Sequence, residues 1–134
     1  MQVHELATLA AVAPHVVRYY AQRGLLRPAR DPRNKYMHFS QTDLQRLVFI
    51  LKAKRLGFTL GEVSLVLEMS HKGKTPCPLV REVVRRRVAD NAHDLAELTV
   101  LQERMQSALR KWRRMRDGVP DGRAICRLIE AVGE

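Results

Sequence analysis

Residues 78–116 contain one proline, at the very start, and no glycine. Nothing in that stretch stops a helix, so the sequence predicts a single rod of about 37 residues, about 55 Å long at 1.5 Å per residue. A lone chain of this size cannot cover such a rod. Leu101, Met105, Ala108, Trp112 and Met115 recur at spacings of 4, 3, 4 and 3, the seam of a coiled coil. Val84, Val88, Ala92, Leu95 and Leu98 carry the stripe upstream. Only three residues separate Leu98 from Leu101, so the heptad register is expected to slip there. The expectation is a tight homodimer, because that much apolar surface is costly to leave in water. The block Arg85-Arg86-Arg87 is read as solvated, with contact to the N-terminal region as the other reading.

Ahead of the rod, residues 13–26 (APHVVRYYAQRGLL) read as a short helix. Pro14 suits the first turn, where its missing N–H costs nothing. Val16 and Val17 supply a buried side, Arg18, Tyr19 and Tyr20 sit at the middle, and Gly24 ends the helix in the left-handed conformation that glycine enters freely. Residues 3–10 (VHELATLA) form a preceding amphipathic run, joined by the small residues 11–13. Two short helices with a tight turn, the second bearing Arg and Tyr, make either a helix-turn-helix or an ordinary helical hairpin.

Charge favours the first. The chain has 134 residues and a net charge of +10. Residues 1–58 hold ten Lys/Arg against three acids, whereas the remainder holds fourteen against eleven. A basic head on a nearly balanced tail points to a polyanion, and nucleic acid fits better than a membrane surface. No apolar run approaches the ~20 residues that span a bilayer, and residues 1–30 do not read as a signal peptide. A cytoplasmic location is expected, where two cysteines are thiols or metal ligands rather than a disulfide. There is no Gly-rich phosphate loop, no HExxH and no nucleophile–base spacing, so an enzyme is not expected.

The breakers Pro28, Asp31, Pro32 and Asn34, followed by a short strand at residues 35–39, predict a β-wing with Asp31-Pro32-Arg33-Asn34 at its tip. Arg27, Arg30, Arg33 and Lys35 would face phosphate. Ser40 with Asp43 forms a capping box that opens the next helix, whose apolar side is read as Leu44, Leu47, Val48, Leu51 and Leu56, and Gly57 ends it. Thr59 opens another helix, with Val63, Val66 and Leu67 inside. Residues 70–75 are a polar linker. Beyond the rod, residues 117–121 (DGVPD) are a break, and residues 122–132 form a last amphipathic helix with Cys126 near its start. This divides the chain into residues 1–70 (DNA-binding head with connecting helices), 71–116 (linker and dimerisation helix) and 117–134 (effector loop and terminal helix).

Along essentially the full chain, the sequence resembles the MerR family of bacterial transcriptional regulators. The carrying residues are Val17-Arg18-Tyr19-Tyr20, Arg23-Gly24-Leu25-Leu26, Tyr36-Met37-His38-Phe39-Ser40, Asp43-Leu44, Leu47, Phe49-Ile50 and Leu56-Gly57-Phe58-Thr59-Leu60. The resemblance implies a mainly α fold: a winged helix-turn-helix head and a long helix forming an antiparallel coiled coil in a homodimer. It implies that His15, Arg18, Tyr19, Tyr20, Arg33, Lys35 and Tyr36 meet double-stranded promoter DNA. It also implies that the dimer distorts the promoter so that RNA polymerase can engage both of its elements. The wing departs from the family in having Lys35 where glycine is usual and Met37 where arginine is usual.

The resemblance extends to the metal-responsive branch. Cys77 stands just before the rod and Cys126 in the loop after it, positions that meet across the dimer in the family. The family's other loop thiol is replaced by Gly118. The implied effector is a thiophilic divalent ion (Hg, Cd, Pb or Zn) held by Cys77 and the partner subunit's Cys126, with His71, Asp117 and Asp121 as auxiliary ligands, since thiolates are soft donors. Two other functions are weighed beside this one. The same regulator could use the thiols for redox chemistry or have lost its effector site, or the chain could be a basic RNA-binding or scaffold protein.

Overall fold

The computed structural model describes residues 1–133. They form two compact units, one ending at Arg87 and one beginning at Val88.

In the first unit, α1 (Val3–Ala10) and α2 (Pro14–Gln22) are joined through Ala11, which adopts the left-handed conformation at φ 57°. Its N–H bonds to the Ala7 and Thr8 carbonyls and closes α1. The chain reverses within three residues at the cost of a strained alanine. Pro14 opens α2, and Gly24 at φ 79° follows its C-cap, Arg23. Val17 is fully buried, as the pattern predicted.

The wing is a two-stranded antiparallel ribbon, β1 (Ala29–Arg30) and β2 (Met37–His38), with Ala29 opposite His38 and Arg30 opposite Met37. Helix α3 (Gln41–Arg55) starts at a complete capping box between Ser40 and Asp43, and α4 (Leu60–His71) at a second between Thr59 and Glu62. Leu6, Val17, Leu25, Leu26, Phe39, Leu47, Ile50, Phe58 and Val63 form one core. Fully burying side chains of this size contributes roughly 1.5–3 kcal/mol each.

The buried face of α3 differs from the one expected. Asp43, Leu47, Ile50 and Ala53 point inward, whereas Val48 and Leu56 are exposed. Apolar residues occur all round this helix, so sequence spacing alone does not select the face that α1 and α4 cover.

Helix α5 (Cys77–Trp112) is unbroken over 36 residues. Its first turns belong to the head, with Val80, Val83 and Val84 packed against the core. Arg85 and Arg86 are exposed and pair with Glu82 on their own helix, while Arg87 turns to the head. Both readings of the arginine block therefore hold, for different members.

In the second unit, every residue of α5 from 88 to 107 is exposed. Val88, Leu95, Leu98, Met105 and Leu109 are its exposed large apolar residues in a heptad frame, with Trp112 one step further. Their spacings of 7, 3, 7, 4 and 3 keep one register throughout. Taking Leu109 into the seam in place of Leu101 gives this register without a slip at Leu98, with Asn91 and Gln102 as its polar positions. The expected terminal helix is shorter than predicted: α6 spans only Arg127–Glu130, with Cys126 as its N-cap. Residues 122–125 are drawn into a turn instead, because the Asp121 Oδ1 accepts the backbone N–H of Arg123 at 2.7 Å and of Ala124 at 2.9 Å.

Candidate nucleic-acid interface and thiol positions

Helix α2 exposes His15, Arg18 and Tyr19. The Arg23 guanidinium lies 5.2 Å from the centroid of the Tyr19 ring, and Tyr19 meets Tyr20 edge to face at 5.5 Å. This stack fixes the Tyr19 ring on the surface. Tyr20, expected to meet DNA together with it, belongs instead to the core, only 8% exposed. Burial, and then the neighbouring Tyr19, push its phenol above the ordinary tyrosine value. Residues 17 and 20 lie three apart on one helix face, so Tyr20 follows Val17 inward.

At the wing tip, the Asp31 N–H donates to the Tyr36 carbonyl at 2.9 Å and the Lys35 N–H to the Asp31 carbonyl at 2.8 Å. The Asp31 Oδ1 accepts the Arg33 N–H at 2.8 Å, and the Asn34 Oδ1 accepts the Tyr36 N–H at 2.9 Å. These are the local side-chain turns that Asp and Asn favour. They force Lys35 to φ 60°, a conformation natural to glycine. The result presents Arg33, Lys35 and Tyr36 to solvent.

The two elements share a surface. Arg18 of α2 lines one hollow of about 380 Å³ together with Arg30, Lys35 and Tyr36 of the wing, His4 of α1 and Gln2, the N-cap of α1. It also opens onto a second hollow with Gln22, Arg27 and Arg30. The predicted contacts other than Tyr20 are thus exposed, and Arg18, Lys35 and Tyr36 converge. Arg30, read from the sequence as facing phosphate, joins them, and Gln22, which the sequence reading missed, completes the surface. The signal for Gln22 was its position four residues after Arg18, on the same helix face. Two arginines and a lysine around the first hollow, with Arg27 joining Arg18 and Arg30 at the second, form an electrostatic footprint for phosphate.

Cys77 is exposed as the first residue of α5, and its N–H donates to the Thr75 Oγ1 at 3.4 Å. Cys126 is half-buried at the start of α6. His71 ends α4 and is exposed, as is Asp117. Asp121 is committed to its own turn, and the two N–H bonds hold its carboxyl below the usual range. Among the described residues, no three His, Cys, Asp or Glu side chains gather where they could hold a metal ion. Gly118 lies under Arg127: a Cβ there would come within 2.3 Å of the Arg127 Cδ.

The MerR HTH family of regulatory proteins matches residues 1–70, and the MerR DNA-binding family matches residues 44–108. The chain belongs to the MerR family. It is a DNA-binding transcriptional regulator, not an enzyme. It is 30% identical to an uncharacterized HTH-type transcriptional regulator of Pseudomonas aeruginosa, over 79% of this chain and 80% of that one. It is 26% identical to a probable heavy metal-dependent transcriptional regulator of Haemophilus influenzae, over 79% of this chain and 83% of that one. The fold matches the transcription regulator PbrR691 from Ralstonia metallidurans CH34, crystallised with lead(II). That match has a TM-score of 0.75 and 22% identity, and covers 99% of both chains. No helix among the described residues is long and apolar enough to cross a membrane.

Proposed function

We propose that this MerR-family regulator works as a homodimer that reads promoter DNA with α2 and the wing, and that answers a thiophilic metal ion. The observation that carries the DNA reading is the convergence of Arg18 with Arg30, Lys35 and Tyr36 on one exposed groove. His15, Tyr19 and Arg33 extend that surface on the same two elements. Dimerisation rests on the apolar seam from Val88 to Trp112, broken only by Asn91 and Gln102, which nothing in the second unit covers along residues 88–107. Two antiparallel rods would bury it.

The effector reading follows from the donor set. One chain gathers no metal cluster among its described residues, so Cys77 needs a second chain to supply a soft partner. Cys77 and the partner subunit's Cys126 would provide two thiolates. Two such donors fit a two-coordinate ion such as Hg(II) and leave Zn(II) two ligands short of its usual four. The metal would supply a link between subunits, and so between the two heads. Promoter distortion on the order of 1–10 kcal/mol is then offset by the contacts it permits, and RNA polymerase gains access to both promoter elements. The reversible thiol pair remains the competing use, because the same two sulfurs could be oxidised to a disulfide.

The test is a mixed dimer of one Cys77→Ser chain with one Cys126→Ser chain, loaded with Hg(II) and measured by elemental analysis. Crossed sites predict half the wild-type stoichiometry, because one site loses both thiols and the other keeps both. No metal in the mixed dimer, or none in the wild type, would refute the crossed site.

A further inference from the structure

Arg87 is the last residue of the first unit and the one member of the arginine block that leaves its own helix. Its Nη1 donates to the Gly57 carbonyl at 2.9 Å, and its Nη2 lies 2.7 Å and 2.8 Å from the two Glu62 carboxylate oxygens. Gly57 is the left-handed residue that turns α3 into α4, at φ 85°. Glu62 closes the capping box that starts α4, accepting the Thr59 N–H at 2.8 Å. A single guanidinium therefore grips the α3–α4 corner at its backbone and at its cap. Upstream on the same helix, Val80, Val83 and Val84 pack against the core. Downstream, no side chain of residues 88–107 is covered. Arg and Glu are both half-buried, so the pair is shielded from much of the solvent screening that weakens surface ion pairs.

We infer that Arg87 is a positioning residue for DNA recognition: its clasp on Gly57 and Glu62 locks the first turns of α5 to the head and so sets the distance between half-sites that a dimer accepts. The inference rests on the dimeric DNA-binding function proposed above. It follows from stiffness. A dimer reads two half-sites at a spacing fixed by how firmly each head is attached to the shared element. Apolar packing by three valines holds the helix against the head but lets it roll or slide. A forked donor bonded to a carbonyl and a carboxylate fixes both rotation and axial position. The Arg87 guanidinium is engaged by Gly57 and Glu62 and does not line the α2–wing groove, so it acts without touching DNA itself.

The test uses the full chain with Arg87→Ala, Arg87→Gln and Arg87→Lys. Affinity is measured by fluorescence anisotropy on palindromic duplexes whose half-sites are separated by the optimal spacing and by one base pair more or less. The wild type should discriminate against the altered spacings. Arg87→Ala and Arg87→Gln should lose about fivefold of that discrimination, the lower end of measured couplings between sites, with Arg87→Lys in between because it keeps one charged contact. Amide hydrogen exchange should quicken across residues 77–87 in the first two variants and stay unchanged in α1 and α2. A wild type indifferent to spacing would overturn the dimeric DNA reading itself. A wild type that discriminates, with Arg87→Ala and Arg87→Gln discriminating equally well or showing unchanged exchange at residues 77–87, would overturn the clasp alone.

Discussion

The Asp43 carboxylate, buried in the first turn of α3, accepts the Arg27 backbone N–H at 2.9 Å and the Ser40 N–H at 3.0 Å. Residue 27 leads into the wing and residue 40 leads out of it, so one carboxylate fastens both ends of the ribbon. Asp43→Ala strips a helix cap and leaves two N–H groups without partners. The expected loss is about 2–3 kcal/mol in urea unfolding. Asp43→Asn should recover part of it, since the amide oxygen still accepts. A loss under about 0.5 kcal/mol would show that the wing is held by something else.

Lys35 separates stability from binding. At φ 60° a lysine is strained by roughly 1 kcal/mol relative to glycine. Lys35→Gly should therefore raise folding stability by about 0.5–1 kcal/mol while weakening DNA binding on all sequences alike. The slope of log affinity against log salt should flatten by about one unit, the mark of one lost phosphate contact. A variant that is destabilised, or that keeps the wild-type salt slope, would contradict the placement of this residue at the tip.

Local chemistry was legible in the sequence and long-range choice was not. The Ser40/Asp43 cap, the helix start at Thr59, the stop at Gly24, the wing and the unbroken rod all depend on residues a few positions apart, and the structure has each of them. The outward turn of Val48 and the Arg87 clasp depend on which neighbour covers which face, and no local pattern states that, whereas the inward turn of Tyr20 was open to reading from its spacing to Val17. The capping role of Asp43 could be read from its spacing to Ser40, but its second bond, to Arg27, spans sixteen residues. At the candidate interface, Arg18, Arg30 and Lys35 were legible by residue type and Tyr36 through the family resemblance, while Gln22 enters only through the shape of the groove. The terminal helix was over-extended because amphipathic spacing does not reveal that Asp121 draws residues 123 and 124 into a turn.

Acid should loosen the head at Glu62. The Thr59 backbone bond, above all, and the Arg87 bonds hold its carboxyl below the ordinary glutamate value of 4.5. A depressed acid stabilises the fold fully above its unfolded value, and the contribution is lost as pH falls through the folded one. Thermal melts of the wild type should thus drop more steeply below pH 4.5 than those of Glu62→Gln, which has no proton to take up. Parallel curves for the two proteins would remove Glu62 from the account.

Trp112, the single tryptophan, donates its indole N–H to the Leu128 carbonyl at 2.7 Å and so anchors α6. Lys111 adds a bond to the Ala131 carbonyl. Trp112→Phe keeps the ring but removes the donor, at a cost of about 1 kcal/mol. Tryptic cleavage after Arg123 should accelerate about fivefold, as the equilibrium between closed and open segment shifts by that amount. Cleavage within the head should be unaffected. Equal cleavage rates after Arg123 would mean that the indole bond does not hold the segment.

The central claim is that two copies of this chain read one duplex through α2 and the wing. Sedimentation of the protein with a palindromic promoter duplex tests it directly, by giving the number of chains bound per duplex for the wild type and for Arg18→Ala. Two chains per duplex are predicted, with Arg18→Ala weakening that complex by more than about 1 kcal/mol. One chain per duplex, or an Arg18→Ala protein with wild-type affinity for the promoter, would contradict it.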